Sequence, residues 1–304
     1  MSWKYVNPGY GELFDKNLCR TVKSIDTNRT ITGVYITENG GQEGECIVTQ
    51  ATKDIWVRCD VYLNGTRQPF RIYVDGHRQC GLTMKEWGGD STGDISLFNK
   101  GSEVASKNKQ LSLYERRLKV VLHITTDIQN GHIELFIDNV PVLTYTGNVA
   151  DGKSITGVEI SGGTDVFFSN IIVADYDISQ ESVAVCSLND LTGTWEGISD
   201  GLTKATDVDQ TLSQKIDTNK LKQLISSYSS DPTITSVSIA AIGIQYDPNK
   251  VNSLKSSIVS ASVEVFSDTN YIKENHSSPT TTYIKNISTD TLKNMTLNLI
   301  SVKQ

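Results

Sequence analysis

From Leu118 to Ile137 the chain alternates apolar and polar side chains with a period of two. Leu118, Val120, Leu122 and Ile124 fall on one face of an extended segment, with Lys119, His123 and Thr125 on the other, and Ile133, Leu135 and Ile137 repeat the pattern. Such alternation predicts strands buried on one face. Between the two runs stands QNGH, whose Asn130-Gly131 pair tolerates the positive φ angles of a type I′ turn, so an antiparallel hairpin is expected. Asp138-Asn139 marks a second turn, because Asn, after Gly, best tolerates a left-handed backbone. Upstream, ITGVYIT, ECIVTQ, DIWVRCDVYLN, FRIYVDG, DISLF and QLSLY read as further short strands punctuated by Gly, Asn and Asp. This cadence is that of an all-β sandwich or barrel, and no amphipathic helical pattern interrupts it. Trp56, inside IWVRCDVYL, reads as a core residue. The stretch CGLTMKEWGGDSTG, from Cys80 to Gly93, is the least regular and reads as a loop.

The phrases LKVVLHITTDIQNGHIELFIDNVPVLTYTG and VFFSNIIVAD carry a family resemblance. The first resembles the strand–turn–strand signature of concanavalin A-like (laminin G-like) jelly rolls, and the second resembles the closing strand of such domains in bacteriophage virion proteins. One departure is Asp138-Asn139, where Gly is usual. The resemblance runs from about residue 30 to residue 178. It implies a mainly β, antiparallel jelly-roll sandwich of the lectin/glucanase kind. It also implies a place among phage or prophage surface proteins such as capsid and tail fibres, with other virion proteins and host cell-surface polysaccharide as partners. Homo-oligomers, trimers in particular, are common among such fibres.

From Gln180 to about Asp200 the residues become small and polar, which predicts a linker: the jelly roll is expected over 1–178, the linker over 179–200 and a second domain over 201–304. In TNKLKQLISSY, residues Leu221, Leu224, Ile225 and Tyr228 follow helical spacing and predict one short amphipathic helix. ITSVSIAAIGIQY, SSIVSASVEVF, TTTYIKNIS and TLKNMTLNLISV read as strands, so the second domain is expected to be small and β-rich. Its pattern of residue types, Thr192-Gly193-Thr194-Trp195 and Ala205 to Asp209 included, resembles segments that follow lectin-like domains in phage structural proteins.

Composition narrows the function. Among 304 residues the formal net charge is −7, which disfavours nucleic acid, since phosphate neutralisation needs clustered Lys and Arg. No run approaches the roughly 18 to 20 consecutive apolar residues of a membrane span, and the N-terminus lacks a signal-peptide pattern. Synthesis in a host bacterial cytoplasm followed by display on a virion surface is the corresponding expectation. The cysteines (Cys19, Cys46, Cys59, Cys80, Cys186) contain no CxxC pair and are expected to be free thiols. The histidines (His77, His123, His132, His276) are dispersed, so no metal centre is predicted from them.

A glucanase of this fold would carry E-x-D-x-x-E or E-x-D-x-E, whose alternation sets carboxylates on one face at the spacing that retaining hydrolysis needs. The nearest string, Glu134 to Asp138, has Phe136 where the middle acid belongs. No catalytic residue is therefore expected, and the protein reads as a non-enzyme. Calcium remains an alternative through Asp90, Asp94, Asp138, Asp151 and Asp165. Trp56, Tyr73 and Trp87 are the aromatics whose faces are suited to sugar rings. Trp87, with Asp90 beside it in a Gly-rich loop, forms the expected ligand contact, since loops at one end of a sandwich are where binding is grafted. Attachment and purely structural decoration of a particle both stay open.

Overall fold

The computed structural model describes residues 2–10, 13, 19–22, 33–36, 45–63, 67–86, 93–111, 117–160, 166–186, 188–198, 203–226, 233–274 and 276–304. The chain divides into two compact units, Met1–Val183 and Ala184–Gln304. Trp87 and Asp90 lie outside the described residues, as do Asp165 and Tyr228.

The first unit is built from β1 (Lys4–Asn7), β2 (Cys19–Val22), β3 (Gly33–Ile36), β4 (Glu45–Thr52), β5 (Asp54–Leu63), β6 (Arg67–Val74), β7 (His77–Glu86), β8 (Gly93–Asn99), β9 (Ser102–Leu111), β10 (Arg117–Thr125), β11 (Gly131–Ile137), β12 (Val140–Gly147), β13 (Ile155–Ile160) and β14 (Val166–Ala174). They pair antiparallel into two sheets. One runs β12-β11-β10-β5-β14-β3-β2, with β1 also on β14, and the other runs β4-β13-β6-β7-β8-β9. The architecture is mainly β and consistent with a jelly-roll sandwich, as the sequence predicts.

The alternation explains the packing. Leu118, Val120, Leu122, Ile124, Ile133 and Leu135 are fully buried, and they join Phe70, Ile72, Leu82, Met84, Ile95 and Leu97 of the facing sheet in one core. Phe70 and Phe168 meet across the layers with ring centroids 6.4 Å apart.

The turns divide. Asp138 and Asn139 have φ of 52° and 67°, the left-handed backbone expected of a turn there, and Asp75-Gly76 and Lys100-Gly101 repeat it. Asn130-Gly131 does not, since neither residue has a positive φ. Residues 126–130 form a longer loop instead, in which the Asp127 carboxylate accepts hydrogen bonds from the backbone N–H groups of Gln129 and Asn130, both at 2.8 Å. Gly131 is required there by crowding, because a Cβ would stand 2.8 Å from the Asp127 carbonyl oxygen.

Two further expectations are corrected, for Trp56 and for Cys80 to Glu86. Trp56 lies on the outer face, half-buried, because it shares its parity with Asp54 and Arg58 while Ile55, Val57 and Cys59 point inward. His123 also points outward, yet it is 7 % exposed, since its ring stacks on that of Trp56 at 3.8 Å. Cys80 to Glu86 are strand rather than loop.

After β14 the chain turns back over this outer face. Ile178, Tyr176 and Val183 pack with Trp56, Ile172 and Ala174. Lys4 pairs with Glu181, and Arg58 Nη2 donates to Ser182 Oγ at 3.3 Å. Lys119 Nζ of β10 also donates to the Ser179 carbonyl oxygen at 2.7 Å, so this clasp covers one part of the face.

The second unit contains β15 (Leu188–Gly193), β16 (Lys204–Ala205), β17 (Thr211–Ile216), α1 (Thr218–Ser226), β18 (Ile234–Ala241), β19 (Gln245–Tyr246), β20 (Ser253–Ser260), β21 (Val263–Tyr271), β22 (Ser278–Ile287), α2 (Thr289–Lys293) and β23 (Met295–Val302). Its five-stranded sheet runs β15-β17-β23-β20-β21. Leu188–Gly193, within the stretch expected as a linker, thus form the edge strand β15. SSIVSASVEVF, expected as one strand, is a hairpin folded at Ala261-Ser262, with φ of 49° and 66°. The predicted helix is present as α1, capped by the Asp217 carboxylate and anchored by buried Leu221.

Candidate functional site

On the outward face of the six-stranded sheet, strand register places Glu159 (β13), Arg71 (β6), Gly81 (β7) and Phe98 (β8) in one row. Tyr73 and Arg78 occupy the adjacent row on β6 and β7. Glu159 sits at the centre, with its side chain 1 % exposed. Its Oε1 accepts from Arg71 Nη1 at 2.7 Å and from Arg78 Nη2 at 3.1 Å, and its Oε2 accepts from the Tyr73 hydroxyl at 2.7 Å and from Arg78 Nε at 2.9 Å. Arg78 lies about a third open to water, and Tyr73 is half-buried. Burial, reinforced by the Glu159 carboxylate, holds the Tyr73 phenol above its ordinary pKa. It remains a neutral donor through the physiological range.

Gly81 opens space beside this network. A Cβ there would lie 2.3 Å from the Phe70 carbonyl oxygen and 2.5 Å from Phe98 Cζ, so the glycine leaves room for the half-buried Phe98 ring to reach over β7. The result is a platform of two guanidiniums, a carboxylate, a phenol and an aromatic face. Two cations against one anion give it a local charge of +1 in a chain whose net charge is −7.

The sequence singled out Tyr73 as an aromatic to weigh; Arg71, Arg78, Phe98 and Glu159 were missed. Arg71 and Arg78 share the β6–β7 hairpin, but Phe98 and Glu159 come from strands farther along the chain, and period two alone marks all four as ordinary outward positions. Of the calcium candidates within the described residues, Asp94 lies on β8, Asp138 in the β11–β12 turn and Asp151 beside Lys100, with which it pairs. Metal-type ligand atoms converge elsewhere, at His123, His132 and Glu134 on the opposite sheet. Cys59 and Cys80 are buried and Cys186 half-buried, all three without a disulfide. Among the described residues no helix is long and apolar enough to cross a membrane.

No family model and no curated protein matches the chain. Solved structures with likeness to it include the alginate lyase Aly36B, 9 % identical over 58 % of this chain and 96 % of that one, with a TM-score of 0.39. Peanut lectin is 10 % identical over 57 % of this chain and 97 % of its own, at a TM-score of 0.35. The heptameric SAP-like pentraxin of Limulus polyphemus is 13 % identical over 45 % of this chain and 73 % of its own, also at 0.35.

Proposed function

We propose that the first unit is a non-catalytic saccharide-binding sandwich, displayed in several copies on the surface of a phage-type particle. The Arg71–Tyr73–Arg78–Glu159 network beside Phe98 is the observation that carries this reading. Vicinal sugar hydroxyls match the fork of the part-exposed Arg78 guanidinium, which the buried Glu159 carboxylate orients, while a sugar C–H face packs on an aromatic ring. The surplus cation favours saccharides that bear a carboxylate. Catalysis is not part of the reading, because the groups holding the Glu159 oxygens are two guanidiniums and a phenol. Retaining hydrolysis would instead ask for a second carboxyl about 5 Å away. The virion setting is supported by the resemblance of the LKVVLHITTD and SNIIVAD phrases.

A second reading, structural decoration or assembly, is favoured by the edge strand β21. Val263 and Val265 stand on it at 63 % and 39 % exposure, apolar positions on a strand that ends its sheet among the described residues.

The test is binding of the purified chain to neutral and acidic envelope polysaccharides, with reducing-end release followed in parallel. A single copy is expected to bind with Kd on the order of 0.1 to 1 mM, since a shallow site buries little area, and multivalent display should strengthen this at least tenfold. Arg78→Ala should abolish the binding while the protein stays folded. Release of sugar ends would overturn the non-catalytic reading, and absence of binding to every polymer would leave the decoration role.

A further inference from the structure

We propose that the outer face of the eight-stranded sheet holds a zinc-class divalent metal ion between His123, His132 and Glu134. The hairpin register makes the site. His123 stands opposite Glu134, and Thr125 opposite His132, on β10 and β11; Trp56 and Asp54 continue the two rows onto β5. Residues nine and eleven positions apart in sequence thereby meet on one surface.

The spacing of the ligand atoms fits a tetrahedral ion. His123 Nδ1 lies 3.0 Å from Glu134 Oε2 and 3.2 Å from His132 Nε2, and His132 Nε2 lies 3.8 Å from Glu134 Oε2. An ion with bonds of about 2.0 to 2.1 Å in tetrahedral geometry sets its ligand atoms about 3.3 Å apart, so these three atoms outline one face of that tetrahedron. Two imidazole nitrogens and a carboxylate oxygen thus lie within 3.0 to 3.8 Å of one another, and one dication would satisfy the three together. Imidazole nitrogens select zinc-class ions over calcium.

The support around the ligands has the form that metal-binding histidines use. With Nδ1 facing the metal, His123 Nε2 carries the proton and faces Asp54 Oδ1 at 3.2 Å, and Thr125 Oγ1 donates to Asp54 Oδ2 at 3.3 Å. The His123 ring is held by the Trp56 stack at 3.8 Å and by the edge of His132 at 4.6 Å. His132 and Glu134 are about a third exposed, which leaves an entry path and a fourth position for water or a ligand group. The site lies on the sheet opposite the Arg71–Glu159 platform and stands or falls independently of saccharide binding.

The test is calorimetric titration of the chelator-stripped full chain with Zn2+, together with the visible spectrum of the Co2+-loaded protein. One ion per chain is expected, with Kd of roughly 10 μM or tighter and the intense absorption of tetrahedral Co2+. His132→Ala, at a partly exposed position, should fold normally and weaken binding about 100-fold. Asp54→Asn should weaken it about tenfold, while His77→Ala and His276→Ala should change it less than twofold. No binding tighter than about 1 mM by a folded protein, an octahedral Co2+ spectrum, or unchanged affinity in His132→Ala would each overturn the proposal. Those outcomes would reduce the cluster to a proton-sharing pair of histidines.

Discussion

Replacing Glu159 by Gln removes one charge and almost no volume, so it isolates the electrostatics of the platform. The carboxylate is 1 % exposed and takes hydrogen bonds from Arg71, from the Tyr73 hydroxyl and from both Nε and Nη2 of Arg78. An amide has one acceptor oxygen. Its NH2 will settle at the Oε2 position, where the Tyr73 hydroxyl can rotate to accept, but Arg78 Nε–H then faces a donor. Two guanidiniums also lose their anion in a setting where water reaches Arg78 far better than Arg71, whose side chain is 11 % exposed. Breaking a buried pair costs about 3 to 5 kcal/mol, and the opening at Arg78 reduces this to about 2 to 4. For a unit of this size that lowers Tm by roughly 5 to 15 °C. Denaturant melts at constant m-value measure it, and the transition belonging to the first unit is the one that Leu122→Ala also shifts. A change below about 0.5 kcal/mol would refute the reasoning, because it would mean that water already solvates the network.

Leu122→Ala, at a fully buried position between the sheets, should cost about 2 to 5 kcal/mol in the same assay; a cost near zero would place it on the wrong face. Gly81→Ala should cost about 1 to 3 kcal/mol by forcing the Phe70 carbonyl and the Phe98 ring apart, and it should weaken saccharide binding as Phe98 leaves the platform. The pair Ala261→Asn and Ser262→Gly supplies the residues that a type I′ turn prefers and should stabilise the second unit by about 1 kcal/mol; destabilisation would argue against that hairpin. In the native protein Cys186 should alkylate faster than Cys59 and Cys80. After denaturation without reductant all the thiols should react, a protected pair being the contrary result. Burial pushes the Cys80 thiol from 9.0 to about 12. Its contribution to stability is therefore complete below pH 9 and falls as the pH rises toward 12, whereas a flat alkaline stability curve would contradict its burial.

The period-two runs determined much of this protein by themselves. Leu118 through Ile124 and Ile133 through Ile137 must bury one face each, and two such faces can be covered only by stacking sheets, so the strands, their inward residues and the sandwich were legible. Turn chemistry was legible where it depended on two residues, as at Asp138-Asn139. It misled at Asn130-Gly131, where Asp127, three residues back, captures the backbone N–H groups and lengthens the loop. It also misled at Ala261-Ser262, where no turn-forming residue announces the fold and strand pairing imposes it.

What the outward residues do was decided by tertiary structure, because period two assigns a face but not a neighbour. Trp56 shares its parity with Asp54 and Arg58, a signal the sequence contained. The clasp of residues 175–183 that half-buries it has no such signal. Glu159 belongs to a strand distant in the chain from the β6–β7 hairpin that carries Arg71 and Arg78, and the three become one network only through the β13-β6-β7 order. His123 and His132 looked dispersed until the hairpin register set them 3.2 Å apart. Strand order and register arise from closing the whole core at once, and it is they that turn scattered polar positions into sites.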